Sequence, residues 1–376
     1  MPDRAKIHWS ENGEARSANW QSEGGTPPPK RVVLADDTMS ADVAYKLACE
    51  GSALLWRGDF QNARQLLLAL ARRIDRKLNK RGTSPAEAFH LYRQSQSQRA
   101  RTLGMLLIPF EADHRIPLRR GPEVQAACIE AYGAADAPYV ASLRELLGLI
   151  GAHEWRKKGV PIPALGHAHI HPHYGVFAPI RSEYVALVAN APLPERLQSL
   201  AFDIGTGTGV LAAVLARRGV KHVIATDQDP RALACARDNI HRLSAAEQIE
   251  IIGADLFPPG RAPLAVCNPP WVPARPSSPL EHAIYDPDSR MLRGFLNGLT
   301  AHLEPAGEGW LLLSDLAEHL GLRSRTELEA MFAAAGLKVL SRADARPKHP
   351  KASDMTDPLH AARAAEITSL WRLAAQ

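Results

Sequence analysis

The chain holds 376 residues, enough for two or three domains with at least one full core. Apolar residues make up 45% and the longest unbroken aliphatic run is Val210 to Ala216, far short of the ~20 residues that a membrane span needs, so no transmembrane helix is expected. Lys and Arg number 45 against 40 Asp and Glu, but this modest +5 is unevenly spread: Arg57 to Arg120 carries fourteen basic and five acidic residues, and the front half is the basic half.

Residues 1–30 are polar and end in Thr26-Pro27-Pro28-Pro29-Lys30, a composition that predicts a flexible tail. The polar, mixed-charge start is unlike a secretory signal, and a cytoplasmic protein is expected. Cys49, Cys128, Cys235 and Cys267 lie far apart with no paired spacing, which indicates neither a disulfide framework nor a cysteine zinc site and predicts buried thiols.

From 31 to 160 the pattern predicts a helical domain, with Ala63, Leu66, Leu67, Leu70 and Ile74 on one helix face. Gly82, Pro85, Pro109, Pro117 and Pro122 separate the helices. Arg72, Arg73, Arg76, Lys77, Lys80 and Arg81 form a basic face that suits contact with RNA or DNA, or a plainly solvated surface.

The texture changes at Gly159 to Pro163. Strands are predicted at Leu200 to Ile204, His222 to Thr226, Ile249 to Ile252, Leu264 to Cys267, Trp310 to Ser314, Leu337 to Leu340 and Ile367 to Leu373, with Ala- and Leu-rich helices between most of them. That alternation predicts an open α/β sheet over 161–376, with a ligand at the carboxyl ends of its strands.

Asp203-Ile204-Gly205-Thr206-Gly207-Thr208-Gly209 follows the first of these strands and opens a helix at Val210. Its glycines allow a tight turn close to a ligand, but Val210 stands where a dinucleotide loop would have its last glycine. The strand His222 to Thr226 ends in Asp227, placed to accept hydrogen bonds from ribose hydroxyls, with Gln228 beside it. Asp229 is a credible N-cap ahead of Pro230.

These residues resemble the class I S-adenosylmethionine-dependent methyltransferases, whose first loop reads D-x-G-x-G-x-G as Asp203 to Gly209 do. The resemblance implies a seven-stranded, mostly parallel Rossmann-like sheet. It implies S-adenosylmethionine as cofactor, held by Asp203, Gly205, Thr206, Gly207 and Gly209, by Asp227 and Gln228, by Asp255 and Leu256 after the third strand, and by Asn268.

Asn268-Pro269-Pro270-Trp271 ends the fourth predicted strand and resembles the N-P-P-aromatic signature of enzymes that methylate planar nitrogens. The lone pair of such a nitrogen is delocalised, so the nitrogen is a poor nucleophile. The Asn268 side-chain oxygen and the Pro269 carbonyl can accept its two N–H bonds, Pro270 helps to fix the loop, and Trp271 can stack on the flat group. No metal is required.

Val176 to Tyr184 and Ala283 to Asp288 resemble segments of the protein-glutamine (HemK/PrmC-like) branch, with Arg181 displaced by one position and Trp271 in place of tyrosine. The same loop serves adenine N6 and guanine N2 of nucleic acids, and the basic front half suits such partners. A third reading is an adaptor that binds the cofactor without catalysis, against which the intact Asn268 argues. His167, His169, His171 and His173 alternate and are compatible with a metal, but the tract contains no acid or cysteine. Asp286 and Asp315 are as well explained by helix capping as by substrate contact.

Overall fold

The computed structural model describes residues 5–76, 82–276, 279–347 and 354–376, without the side chains of 279 and 280. Lys77, Lys80 and Arg81 of the expected basic face lie outside the described residues. The chain divides into two units, Met1–Arg81 with His90–Glu154, and Gly82–Phe89 with Trp155–Gln376.

The first unit opens with a hairpin of β1 (Lys6–Glu11) and β2 (Glu14–Trp20). Its turn residues Asn12 and Gly13 have φ of 54° and 82°. Two successive left-handed residues match the twist of the flanking strands, and Asn-Gly adopts them readily. This hairpin corrects the expectation of a flexible tail. Ile7, with Trp9, Ala18 and Trp20 beside it, packs on Ala53, Leu55, Leu107 and Val140, so the segment buries apolar surface that its overall polarity conceals.

The unit continues through β3 (Arg31–Ala35), α1 (Ala41–Cys49), β4 (Ser52–Trp56), α2 (Phe60–Asp75), α3 (Pro85–Leu103) from His90 onward, β5 (Leu106–Phe110), α4 (Gln125–Tyr132), β6 (Tyr139–Ser142) and α5 (Leu143–Lys158) as far as Glu154. Its six strands form one sheet in the order β1-β2-β6-β5-β4-β3, with β3, β4 and β5 parallel. It is therefore α/β, not the helical domain expected over 31–160. Leu54, Leu55, Leu106, Leu107 and Ile108 are all fully buried. A strand covered on both faces shows no period-two alternation, so its Leu-rich run reads as helix.

Helix α2 does bury the expected face of Ala63, Leu66, Leu67, Leu70 and Ile74. Asp59 caps it, accepting from the Gln61 N–H at 2.9 Å and from Arg120 and Arg119 Nε at 2.7 and 2.8 Å. The Arg120 hydrogen bond above all holds the Asp59 carboxyl well below its usual range. Cys49 is exposed, against the expectation of a buried thiol, while Cys128, Cys235 and Cys267 are buried.

The second unit begins with the small hairpin β7 (Val160–Ile162) and β8 (Ala168–Ile170), followed by α6 (Glu183–Asn190). Then come β9 (Leu200–Ile204), α7 (Val210–Arg217), β10 (His222–Asp227), α8 (Pro230–Arg242), β11 (Ile249–Gly253) and β12 (Ala262–Cys267). The chain continues with α9 (Arg290–His302), β13 (Leu303–Ser314), α10 (Leu316–His319), α11 (Arg325–Ala334), β14 (Leu337–Ala345), α12 (His360–Ala365) and β15 (Thr368–Ala375).

Seven strands pair in the order β11-β10-β9-β12-β13-β15-β14. All are parallel except β15, which runs antiparallel between β13 and β14. This is the mostly parallel α/β sheet expected, and each strand overlaps its sequence-located segment. One face carries a core that includes Ala212, Leu215 and Val223, and the other a core that includes Phe202, Phe295 and Leu311. Among the described residues no helix is long and apolar enough to cross a membrane.

Candidate functional site

Strand order reverses between β9 and β12, and in open α/β sheets the loops at such a point leave a crevice beyond the strand ends. The register places the predicted motifs in that row. Ile204 pairs with Thr226 on one side and with Cys267 on the other, and Asp227 pairs with Gly253. The Gly loop, Asp227, the Asp255 loop and Asn268 therefore leave neighbouring strands at nearly one level.

In the Gly loop, Gly205, Gly207 and Gly209 have φ of 71°, 55° and 81°, which glycine alone adopts at little cost. A Cβ on Gly205 would collide with Met291, and one on Gly209 would touch the Ala236 backbone of α8 at 3.4 Å. At Gly207 a Cβ would meet nothing within 4 Å, so the loop faces open space at that residue.

Asp203 is almost fully buried. Its Oδ2 accepts from Thr206 Oγ1 at 2.6 Å and from the Ala212 N–H at 3.0 Å. Burial pushes the carboxyl up to about 6, against the pull of those two hydrogen bonds. Both side chains that the sequence assigned to the cofactor here, Asp203 and Thr206, are thus engaged with each other and with the first turn of α7. They shape the loop.

Asp227 accepts from the Gly207 N–H with Oδ2 and from the Asp229 N–H with Oδ1, each at 3.0 Å. A carboxylate offers about four acceptor sites, and with a further backbone hydrogen bond from Gln228 part of that capacity remains. Burial raises its carboxyl above the usual range. Gln228 beside it is exposed. Asp229 caps α8 through the Arg231 N–H at 2.9 Å, as expected. Asp255 is exposed and paired with Arg290 Nη2 at 2.9 Å, an ion pair in water that is worth little and is readily exchanged. Leu256 has φ of 75°, and its carbonyl accepts from Thr226 Oγ1 at 2.5 Å.

Asn268 Oδ1 accepts from Trp271 Nε1 at 2.9 Å. The tryptophan thus orients the amide oxygen from within its own loop. The Arg181 guanidinium lies 4.8 Å from the centre of the Trp271 ring, so one face of the indole carries a cation where the sequence reading had a substrate. Arg181 is itself held by Glu183 and Glu366 at 2.8 and 2.9 Å. Pro269 is buried and Pro270 half-buried. Val272 bridges to Tyr285, and the Asp286 N–H donates to the Val272 carbonyl at 2.9 Å, which draws the 283–288 stretch to the loop.

Asp286 and Asp315 are structural. Asp286 accepts from the Met291 and Leu292 N–H groups at 3.0 and 3.1 Å at the start of α9, and Asp315 accepts from the Ile367 N–H at 2.7 Å. In the histidine tract, His171 Nδ1 lies 2.7 Å from the Arg156 carbonyl and His173 Nε2 lies 2.9 Å from Asp238. Among the described residues no group of three or more His, Cys, Asp or Glu could hold a metal.

Sequence reasoning missed Asn239. It is fully buried on α8, accepts the His171 N–H at 2.7 Å and donates to the Thr208 carbonyl at 3.1 Å. The signal was present, since an amide falls on the helix face of Ala232, Cys235, Ala236 and Ile240, where a polar group persists only if it is satisfied.

Residues 167–335 match the family model of the methyltransferase small domain. The chain is 34% identical over 153 residues to the release factor glutamine methyltransferase of Cereibacter sphaeroides, covering 37% of this chain and 52% of the relative. It is 31% identical over 156 residues to the protein of the same name from Caulobacter vibrioides, covering 38% and 52%. It is 41% identical over 69 residues to a ribosomal protein L11 methyltransferase of Clostridium perfringens, covering 18% and 22%. The chain spans about half the length of the release factor relatives it matches.

Proposed function

We propose that this chain, which carries a methyltransferase small domain at residues 167–335, transfers a methyl group from S-adenosylmethionine to the side-chain amide of a protein glutamine. The observation that carries this reading is the register of β10, β9 and β12, which sets Asp227, the Gly loop and Asn268 side by side at the carboxyl ends of these strands. Two curated relatives named for glutamine methylation support the substrate class.

The residues fit the cofactor. Asp227 keeps acceptor capacity for a ribose hydroxyl beyond its backbone hydrogen bonds, and the open space at Gly207 admits a ligand against the backbone. Gly205, Gly209, Gln228, Asp255 and Leu256 belong to the same row of loops, with Asp255 able to leave Arg290 for an exocyclic amine. When bound, S-adenosylmethionine supplies an electrophilic methyl group on a sulfonium.

The protein's part is to make the amide nitrogen nucleophilic. Asn268 Oδ1 has a second lone pair beyond the one facing Trp271, and this pair accepts one substrate N–H while the Pro269 carbonyl accepts the other. Both bonds strengthen as the nitrogen leaves the amide plane, so they favour the transition state over the ground state. The prolines hold the two acceptors at fixed spacing. Arg181 anchors the indole that anchors Asn268.

The test is methyl transfer from tritiated S-adenosylmethionine by the purified chain, with a bacterial release factor and with ribosomal RNA as separate acceptors. Label recovered as N-methylglutamine supports the reading. Label in RNA alone overturns the substrate, and binding of the donor without transfer to either leaves an adaptor.

A further inference from the structure

The first turns of α3 belong to the second unit: Gly82–Phe89 is part of it, far ahead in sequence of the methyltransferase match at 167–335. Ser84 Oγ accepts from the Glu87 N–H at 3.2 Å, and the Glu87 carboxylate accepts from the Thr83 N–H at 2.7 Å. Pro85 opens the helix, where its missing N–H costs no hydrogen bond. The helix start is thus fixed, and Phe89 on it is only 3% exposed. The Phe89 ring lies 6.3 Å from the ring of Tyr285, tilted by 58°, within the range at which aromatic pairs attract. Ala86 shares its helix face and approaches Gly321, where a Cβ would stand 3.7 Å from the Ala86 Cβ.

Both contacts lead to the Asn268 loop. Tyr285 bridges to Val272, and the Val272 N–H donates to the Ile284 carbonyl at 3.2 Å. Just after Gly321, Arg323 Nη2 lies 3.5 Å from the Trp271 carbonyl. The two residues that follow Pro270 are therefore held by a stretch and a turn against which the start of α3 packs. Of that stretch, Ala283 and Ile284 are exposed and Tyr285 is half-buried. A segment with so little burial of its own keeps one position only through what it leans on. Asp286 ties its far end to α9 through the Met291 and Leu292 N–H groups, and the Phe89 ring stands against Tyr285 at the near end.

We propose that Phe89 is a positioning residue of the catalytic loop, acting through Tyr285 and Val272 on Trp271, and through the Trp271 indole on the Asn268 oxygen. The inference rests on the reading of Asn268 above and deepens it: the working methyltransferase needs residues 82–89 besides the segment that the family model covers. Loss of the Phe89 ring frees space beside Tyr285, and the loop that leans on Tyr285 loses its fixed place. A misplacement of ~1 Å far from the chemistry can cost up to ~100-fold in rate. The donor is spared, because Asp227 and the Gly loop leave other strands.

The experiment compares the full chain with Phe89→Ala and Phe89→Leu by nuclear magnetic resonance, each isotope-labelled on the indole nitrogen of tryptophan. The Trp271 signal is identified by its loss in Trp271→Phe. Phe89→Ala should displace or broaden that signal while those of Trp310 and Trp371, in the same unit, keep their positions. It should lower kcat for methylation of a purified bacterial release factor about tenfold, with donor affinity unchanged within about twofold. Phe89→Leu, which keeps much of the volume, should recover part of the loss in kcat. Tyr285→Leu should also lower kcat, and its effect combined with Phe89→Leu should fall short of the product of the two, since both act along one line of contacts. Where Phe89→Ala does not fold, this pair and its Trp271 signal carry the comparison. The proposal is overturned by a Trp271 signal that stays in place, by signals of Trp310 and Trp371 that move with it, by donor affinity falling together with kcat, or by effects of Phe89 and Tyr285 that multiply fully. If the unsubstituted chain methylates no release factor, the glutamine reading fails, and the Trp271 signal alone upholds or overturns the role of Phe89.

Discussion

On the proposed reading Asn268, Asp227 and Asp203 have separable tasks, and substitutions separate them. In the proposed mechanism Asn268→Ala removes one acceptor for the substrate amide and leaves Asp227 and the Gly loop to hold the donor. Methyl transfer should fall by about 100-fold or more while donor affinity, measured by calorimetry, stays within about twofold. Asp227→Ala should do the opposite first, weakening the donor by about tenfold or more, because hydrogen bonds to a charged group are lost. Asp203 belongs to stability. Its carboxyl is pushed up to about 6 in the folded protein, against ~3.9 in an unfolded chain. Between those values the folded state holds a proton that the unfolded state has released. The contribution of Asp203 is thus greatest below about pH 4, declines by at most ~3 kcal/mol as pH rises to about 6, and is flat above. In Asp203→Asn that decline should vanish from urea midpoints taken across the range. Persistence of the full slope would assign it to another group.

The loops hold their shape through the elements behind them. Asn239 on α8 ties the Thr208 carbonyl of the Gly loop to the backbone at His171. Asn239→Ala leaves those buried groups unpaired and should cost about 2 to 4 kcal/mol, read as a shift in thermal midpoint that saturating donor partly restores. Such ties are what the sequence reveals least. The Gly loop, Asp227 and Asn268 were legible because each follows a short strand at a fixed place and its chemistry needs particular residue types. Their internal bonds were not: nothing in the spacing of Asn268 and Trp271 says that the indole N–H faces the amide oxygen, or that Arg181 covers the ring. At the scale of whole elements the limit was different. Strands β9 to β15 mostly alternate with helices and declared themselves, whereas β4 and β5 are buried on both faces and carry leucines that equally suit a helix. The hairpin of β1 and β2 hid in a polar stretch, although Asn12-Gly13 is a strong local turn signal.

Across the whole molecule the uneven charge invites a nucleic-acid partner, and the structure reduces what is available for one. On α2, Arg72 and Arg76 are exposed, but Arg73 is paired with Asp42 at 2.9 Å, and Arg99 on α3 with Asp75 at 2.8 Å. Reversing Arg72 and Arg76 to Glu should leave KM for a release factor, and its dependence on salt, unchanged within about twofold. A marked fall in the salt slope of RNA binding by the same variant would identify phosphate contacts made through this face. The sheet of the second unit has one further consequence, for biosynthesis. Because β15 lies between β13 and β14 and pairs with both, the edge that β14 provides cannot join until residues 368–375 have left the ribosome. A nascent chain that already contains the Gly loop and Asn268 therefore still lacks a closed sheet. Arrested translation intermediates should acquire protease resistance in this unit only after that stretch emerges.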